Sequence, residues 1–278
     1  FDQLQIFFND YFNQSNFEKL WQCISAFKTD FTDNNKLLLY YKGILLKFYK
    51  GEIDQALNCF NSALMLNDKD LNFKILCTQA KAGILLTLGK GRINEAIEIL
   101  NDILINEPNR LENAKTYHLL GNSYFNINKP EVSETYLEKA LQICNEHPDA
   151  ELEHDVYSML GNIKITNGDF IQSHHYYELA LNKTNGLFKK IVILGNLTVL
   201  YSRSGKFSKA AEFLQKSKEL LNKFKTPIFE IIVKMTEYSL LFETGDYAAG
   251  IKLAEEIKEL ALRSNNSNFI FLSYQFLC

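Results

Sequence analysis

Apolar and small residues recur at helical spacing along nearly the whole chain, in blocks interrupted at near-constant intervals by glycine or asparagine. Aligned on those interruptions, the blocks read KGEIDQALNCFNSAL from residue 50, KGRINEAIEILNDIL from 90 and INKPEVSETYLEKAL from 127. They continue as NGDFIQSHHYYELAL from 167, SGKFSKAAEFLQKSK from 204 and TGDYAAGIKLAEEIK from 244. The turn residues in this alignment are Gly51, Gly91, Asn128, Gly168, Gly205 and Gly245, separated by 40, 37, 40, 37 and 40 positions. Glycine, or asparagine in its place, is what a helix end in the left-handed conformation requires. The apolar stripe after each turn keeps helical spacing, as in Phe170, Ser173, Tyr177, Ala180 and Leu181. The pattern predicts two helices per unit, and SNFEKLWQCISAF at 15–27 is a degenerate unit beginning 36 residues before Gly51.

Two helices in a period of this length define a helical repeat. The expected fold is therefore all-α, a right-handed superhelical solenoid of about seven degenerate helix pairs in a single array over residues 1–278. Residues 1–36 read as a degenerate first pair and linker helix, 37–264 as six repeats and 265–278 as a terminal helix. Tyr117, Leu120, Gly121, Tyr124, Ser133, Leu137, Ala140 and a displaced Pro148 follow the order of a tetratricopeptide unit. Tyr157, Leu160, Gly161, Ser173, Tyr177 and Ala180 follow it again, with Lys164 in place of an aromatic. In these residues the chain resembles the tetratricopeptide-repeat family, over nearly its whole length. Small Gly121 and Gly161 are expected to let the helices of a pair approach, while Tyr117, Tyr124 and Leu137 fill the space around them. The excess over a repeat of about 34 residues falls in the connections at 106–112 and 145–151. Such looser repeats resemble those of bacterial signalling receptors more than those of co-chaperones.

Composition removes several function classes. A chain of 278 residues that is 46% hydrophobic exceeds the usual single-domain size unless its core is extended or repetitive, which agrees with the repeat. A net charge of −3 provides no electrostatic footprint for nucleic acid. Cys23, Cys59, Cys77, Cys144 and Cys278 are odd in number and form no Cys-x-x-Cys motif, the usage of buried thiols in a reducing cytoplasm. No apolar run is long enough for a membrane helix, so the expectation is a cytoplasmic protein without membrane contact. His118, His147, His154, His174 and His175 include no His-Glu-x-x-His pair, and adjacent His174 and His175 point to different helix faces. GILLTLGKGR at 83–92 has the wrong spacing for a phosphate loop and Gly91 where Ser or Thr must hold magnesium. The reading is of a non-enzyme with neither cofactor nor metal.

What remains is the inner surface. The first helix of each pair is expected to line a concave groove. One step off the packing stripe lie Lys115, His118, Asn122 and Phe125, then Asp155, Ser158, Asn162 and Ile165, then Val192, Gly195, Asn196, Val199 and Arg203. A side-chain amide offers donors and an acceptor, enough to pair with the backbone N–H and C=O of an extended peptide. The candidate peptide-binding residues are Asn122, Asn162 and Asn196, with His118, Phe125, Ser158, Ile165, Val199 and Arg203 beside them. On a solvated face the same asparagines need no ligand. Lys115 and Arg203 are too far apart in sequence to form the carboxylate clamp that the co-chaperone resemblance would imply.

The opening FDQLQIFFNDYFNQSNFEKLWQC resembles the segment that joins a DNA-binding head to the repeats in Gram-positive peptide-pheromone receptors, the Rap, Rgg, NprR, PlcR and PrgX family. That resemblance implies a quorum-sensing-type transcriptional regulator whose repeats bind a short signalling peptide, with DNA contacted only through a domain upstream of Phe1. The alternative is a scaffold that brings protein partners together without signalling. A phosphatase-type member would need an N-terminal bundle with a catalytic amide, and none is identifiable in residues 1–36. NNSNFIFLSYQFLC at the end places Phe269, Phe271, Leu272, Phe276 and Leu277 on a final helix without a partner, from which a homodimer is expected.

Overall fold

The computed structural model describes residues 17–26, 35–66, 70–106, 111–223 and 227–264. Among them lie thirteen α-helices and no strand. They are α1 (Phe17–Ala26), α2 (Asn35–Leu45), α3 (Ile53–Met65), α4 (Leu71–Thr87), α5 (Lys90–Asn106), α6 (Asn113–Asn126) and α7 (Pro130–Glu146). After these come α8 (Ala150–Thr166), α9 (Phe170–Lys183), α10 (Leu187–Arg203), α11 (Phe207–Lys223), α12 (Pro227–Thr244) and α13 (Tyr247–Ser264). The terminal segment with Phe269, Phe271, Leu272, Phe276 and Leu277, and the opening before Phe17, lie outside the described residues.

The turns inside the pairs are copies of one another, for a backbone reason. Asn128, Gly168, Gly205 and Gly245 adopt φ of 60°, 76°, 71° and 80°. The N–H of each bonds the carbonyl three residues back, and the following N–H reaches five back, as in Asn128 to Phe125 at 2.9 Å and Lys129 to Tyr124 at 2.9 Å. These paired bonds satisfy carbonyls that the helix end would otherwise strand. One turn differs from the alignment. Gly89, at φ 88°, takes the left-handed position expected of Gly91, because α5 already begins at Lys90. Gly91 therefore sits in the first turn of a helix.

The chain divides into two compact units, Phe1–Val156 and Tyr157–Cys278. In the first, Tyr40 meets Phe60 and Phe73 edge-on, at ring separations of 5.6 and 6.4 Å. Phe60 is wholly buried, worth about 1.5–3 kcal/mol against exposure. Buried Gln79 of α4 donates to the Glu112 carbonyl at 2.9 Å and to Thr116 Oγ1 at 3.0 Å, tying α4 to α6. In the second unit Tyr177, Ile193, Leu197, Leu200 and Ala210 form one apolar cluster and Ile191, Leu214, Phe229 and Val233 another. Ion pairs from Lys218 to Glu237 at 2.7 Å and from Lys234 to Glu256 at 2.8 Å then join α11, α12 and α13 in series.

Candidate functional site

The nine candidate residues fall into two sets, one in each unit. His118, Asn122 and Phe125 stand on α6 in the first unit; Ser158, Asn162 and Ile165 on α8 and Asn196, Val199 and Arg203 on α10 stand in the second. On each helix the spacing is three or four residues, which places each trio on one face. All are half-buried except Arg203, which is exposed. Beside them run wholly buried positions, Leu120 and Ser123 on α6 and Ile163 on α8, so each trio borders its packing stripe as the sequence indicates.

Those stripes work through close approach at glycine. A Cβ on Gly121 would come within 2.8 Å of Leu137 Cδ2, and one on Gly161 would overlap the Tyr177 ring. Ser133 Oγ donates to the Gly121 carbonyl at 2.7 Å, and Ser173 Oγ to the Gly161 carbonyl at 2.9 Å. The expectation that these glycines draw the two helices of a pair together is met in both.

The amides themselves differ. Asn126 Nδ2 donates to Asn122 Oδ1 at 2.6 Å and to the Asn122 carbonyl at 2.9 Å. Asn162 Oδ1 accepts from the Tyr177 hydroxyl at 2.6 Å. Burial pushes the Tyr177 phenol well above the usual tyrosine range, with the Arg203 charge pulling the other way, so the group is a hydrogen-bond donor at any physiological pH. The Asn162 side chain is thus tied to the core, whereas the sequence reading set it apart from packing.

Sequence reasoning passed over Lys47. It lies in a π-helical turn, Leu46–Lys50, that prolongs α2. Its Nζ donates to the Gly83 carbonyl of α4 at 2.9 Å and lies 5.0 Å from the centre of the Phe48 ring. Burial, reinforced by the nearby charge of Lys115, lowers its pKa to about 8. The available signal was a lone cation inside the apolar run GILLKFY at 43–49.

Among the described residues no group of three His, Cys, Asp or Glu side chains is placed to hold a metal ion. Cys23, Cys59, Cys77 and Cys144 carry free thiols. No described helix is long and apolar enough to cross a membrane.

A family model described as tetratricopeptide repeat matches residues 114–147, which is the α6–α7 pair. No curated protein matches the sequence. Among solved structures, a Rap protein complexed with competence and sporulation factor is 14% identical with a TM-score of 0.63, over 95% of this chain and 78% of that one. The apo form of the quorum sensor NprR from B. thuringiensis is 14% identical with a TM-score of 0.60, over 95% and 82%. A tetratricopeptide repeat protein from Parabacteroides merdae ATCC 43184 is 15% identical with a TM-score of 0.57, over 99% and 98%. At such identities the likeness is one of fold. Read with the recurring turns and the glycine contacts, it makes this an all-α chain with the fold of tetratricopeptide-repeat proteins, resembling in that fold the Rap and NprR receptors.

Proposed function

We propose that the chain is the intracellular peptide-binding part of a quorum-sensing-type transcriptional regulator. The observation that carries this reading is a half-buried amide with an apolar neighbour on one face of a first helix, found six residues before the turn residue in both units, as Asn122 beside Phe125 and Asn162 beside Ile165, and again, nine before the turn, as Asn196 beside Val199. Amides pair with the main chain of an extended peptide, and the apolar residues between them select its side chains. The fold likeness to a receptor crystallised with competence and sporulation factor supports the same assignment. In this reading exposed Arg203 adds a positive charge to the face of α10 that carries Asn196 and Val199, and these repeats do not themselves contact DNA.

A second reading, a tetratricopeptide scaffold that joins protein partners, is favoured by the bond from Tyr177 to Asn162. That bond shows one amide of the row serving the fold. Calorimetry with a library of hydrophobic heptapeptides, and with ATP and GTP, separates the readings. Peptide sensing calls for saturable binding by a subset of peptides and none by either nucleotide; saturable nucleotide binding with no peptide bound would overturn it.

A further inference from the structure

We infer that the π-helical turn at Leu46–Lys50 is a coupling device, which grips α4 through Lys47 and α1 through Tyr49 and Lys50 so that the two contacts form and release together. The turn has its origin in one extra residue. In the α6–α7 and α8–α9 pairs a first-helix glycine lies against a second-helix side chain, Gly121 against Leu137 and Gly161 against Tyr177. Gly43 has the same place in the α2–α3 pair, where an added Cβ would come within 2.8 Å of the Phe60 ring. Leu137, Tyr177 and Phe60 each stand nine positions after the turn residue of their pair, Asn128, Gly168 or Gly51. Gly121 and Gly161 stand seven positions before that turn residue, and Gly43 stands eight before. With the glycine contact and the left-handed Gly51 end both fixed, α2 must take up one residue more than its counterparts. The wide turn absorbs it: the N–H of Gly51 reaches back five residues to the Leu46 carbonyl, and the N–H of Glu52 bonds the same oxygen at 2.9 Å. Such turns occur mostly as single insertions and cluster at functional sites.

This one is gripped from two sides. Lys47, its second residue, donates to the Gly83 carbonyl of α4 at 2.9 Å. A Cβ on Gly83 would lie 3.3 Å from Lys47 Nζ, so the absent side chain is what admits the ammonium to the α4 backbone. At the other end of the turn the Lys50 ammonium lies 5.3 Å from the centre of the Trp21 ring of α1 and 4.7 Å from that of Tyr49, within cation–π reach. The Phe17 ring of α1 stacks on Tyr49 at 6.1 Å. Shedding the extra residue into the connection after Gly51 would close the turn as an ordinary α-helical one. Tyr49 and Lys50 would then swing round the helix by up to about 100°, the angle one residue subtends, and leave α1. Both grips hold the wide form, so loss of one favours the narrow form and weakens the other.

Trp21 is the only tryptophan of the chain, so acrylamide quenching of its fluorescence in the full chain reads the seating of α1. Lys47→Met removes the donor to α4 and leaves Trp21, Tyr49 and Lys50 in place. Coupling calls for greater quenching of Trp21 and for α1 amides that exchange about two- to fivefold faster, the worth of one exposed cation–π contact. Amides of α7, in the same unit, should exchange as in the parent.

The reverse arm follows the titration midpoint of Lys47 by NMR of its Cε. Burial holds that midpoint at about 8, against about 10.4 for a lysine in water. Trp21→Leu alters no charge, and it should raise the Lys47 midpoint as the ammonium leaves Gly83 for solvent. Tyr49→Leu, equally uncharged, should give the same rise and supplies this arm if Trp21→Leu does not fold. Linkage makes the two cross effects reciprocal. If Lys47→Met leaves Trp21 quenching at its parent value, or the ring variants leave the Lys47 midpoint unmoved, the contacts are independent anchors and the coupling is overturned. Equal acceleration of α1 and α7 exchange in Lys47→Met would overturn it too, as a general loosening of the unit.

Discussion

The α6–α7 pair and the α8–α9 pair carry the same local construction, and one side chain separates them. Each has a turn residue at positive φ, Asn128 or Gly168, and each has a serine hydroxyl on the carbonyl of a helical glycine. Nine positions after the turn residue stands Leu137 in one and Tyr177 in the other, both wholly buried. A leucine asks nothing of its surroundings beyond shape. A buried tyrosine brings a hydroxyl that must find an acceptor, and Asn162 supplies it. In the other pair Asn122 bonds Asn126 on its own helix instead. The same residue at the same repeat position is thus part of the fold in one pair and a surface group in the other, and what decides is the second helix.

The largest expected effect breaks the packing itself. Gly161→Ala would set a Cβ 2.6 Å from Tyr177 Cδ1, against a flat ring whose hydroxyl is anchored. Overpacking of this kind costs about 1–3 kcal/mol, against a gain of up to about 1 kcal/mol in helix propensity. Gly121→Ala meets Leu137, a flexible side chain that yields more readily, although the Ser133 carbonyl at 3.3 Å limits how far. Urea unfolding should therefore show the greater loss for Gly161→Ala, and equal losses would mean that ring and leucine constrain their pairs alike. Gly121→Leu, with four carbons to place, should lower the melting temperature further.

Ligand binding sharpens the contrast next. If Asn122 pairs with a peptide main chain, its removal leaves a desolvated peptide group unmatched, at about 1–3 kcal/mol, or about 5- to 150-fold in Kd. Its stability should move within about 0.5 kcal/mol, the range for surface changes. Asn162→Ala should lower both affinity and melting temperature, because its amide serves the fold as well. Paired calorimetry and thermal melting of the two variants is the measurement. Unchanged binding in both would mean that neither asparagine pairs with the peptide, and the proposed site would be wrong.

Much of this architecture was legible from periodicity, because the left-handed turn and the small residue at the close approach each restrict residue type. Turn positions were recovered at Gly51, Asn128, Gly168, Gly205 and Gly245, and missed where Leu88-Gly89-Lys90-Gly91 presents two glycines with equal claim. Tyr177 was legible as packing, but its hydroxyl's acceptor was not, since Asn162 is fifteen residues away on another helix and only the pairing geometry brings them together. Lys47 was hidden for a related reason: a π-helical turn inserts one residue and shifts the face on which a lysine emerges, so counting in steps of three and four misplaces it.

The hydroxyl bond itself has a smaller effect, accessible by a double-mutant cycle. Tyr177→Phe, Asn162→Ala and the double variant should give a coupling of about 0.5–1.5 kcal/mol, the net worth of one intramolecular hydrogen bond. Asn122→Ala with Leu137→Met, at the matching positions of the other pair, should be additive. Additivity at both places would remove the distinction between the two pairs.

The smallest effect is a pH dependence present in one pair and absent from the other. Burial raises the Tyr177 phenol above its unfolded value, which is about 10. The folded chain then keeps this proton where the unfolded chain gives it up. Wherever the unfolded state binds fewer protons, stability falls as pH rises, so the contribution of Tyr177 is complete below about pH 10 and declines above it. Buried Tyr40 and Tyr41 act in the same direction, which makes the difference between parent and Tyr177→Phe, rather than the absolute slope, the quantity to follow. Urea midpoints measured at neutral pH and again above the ordinary tyrosine range should fall less steeply in Tyr177→Phe than in the parent. Leu137→Met should fall in parallel with the parent, since no proton is involved at that position. Parallel lines for all three would mean that the Tyr177 hydroxyl ionises as freely in the folded chain as in the unfolded one, and that its bond to Asn162 does not distinguish the two pairs.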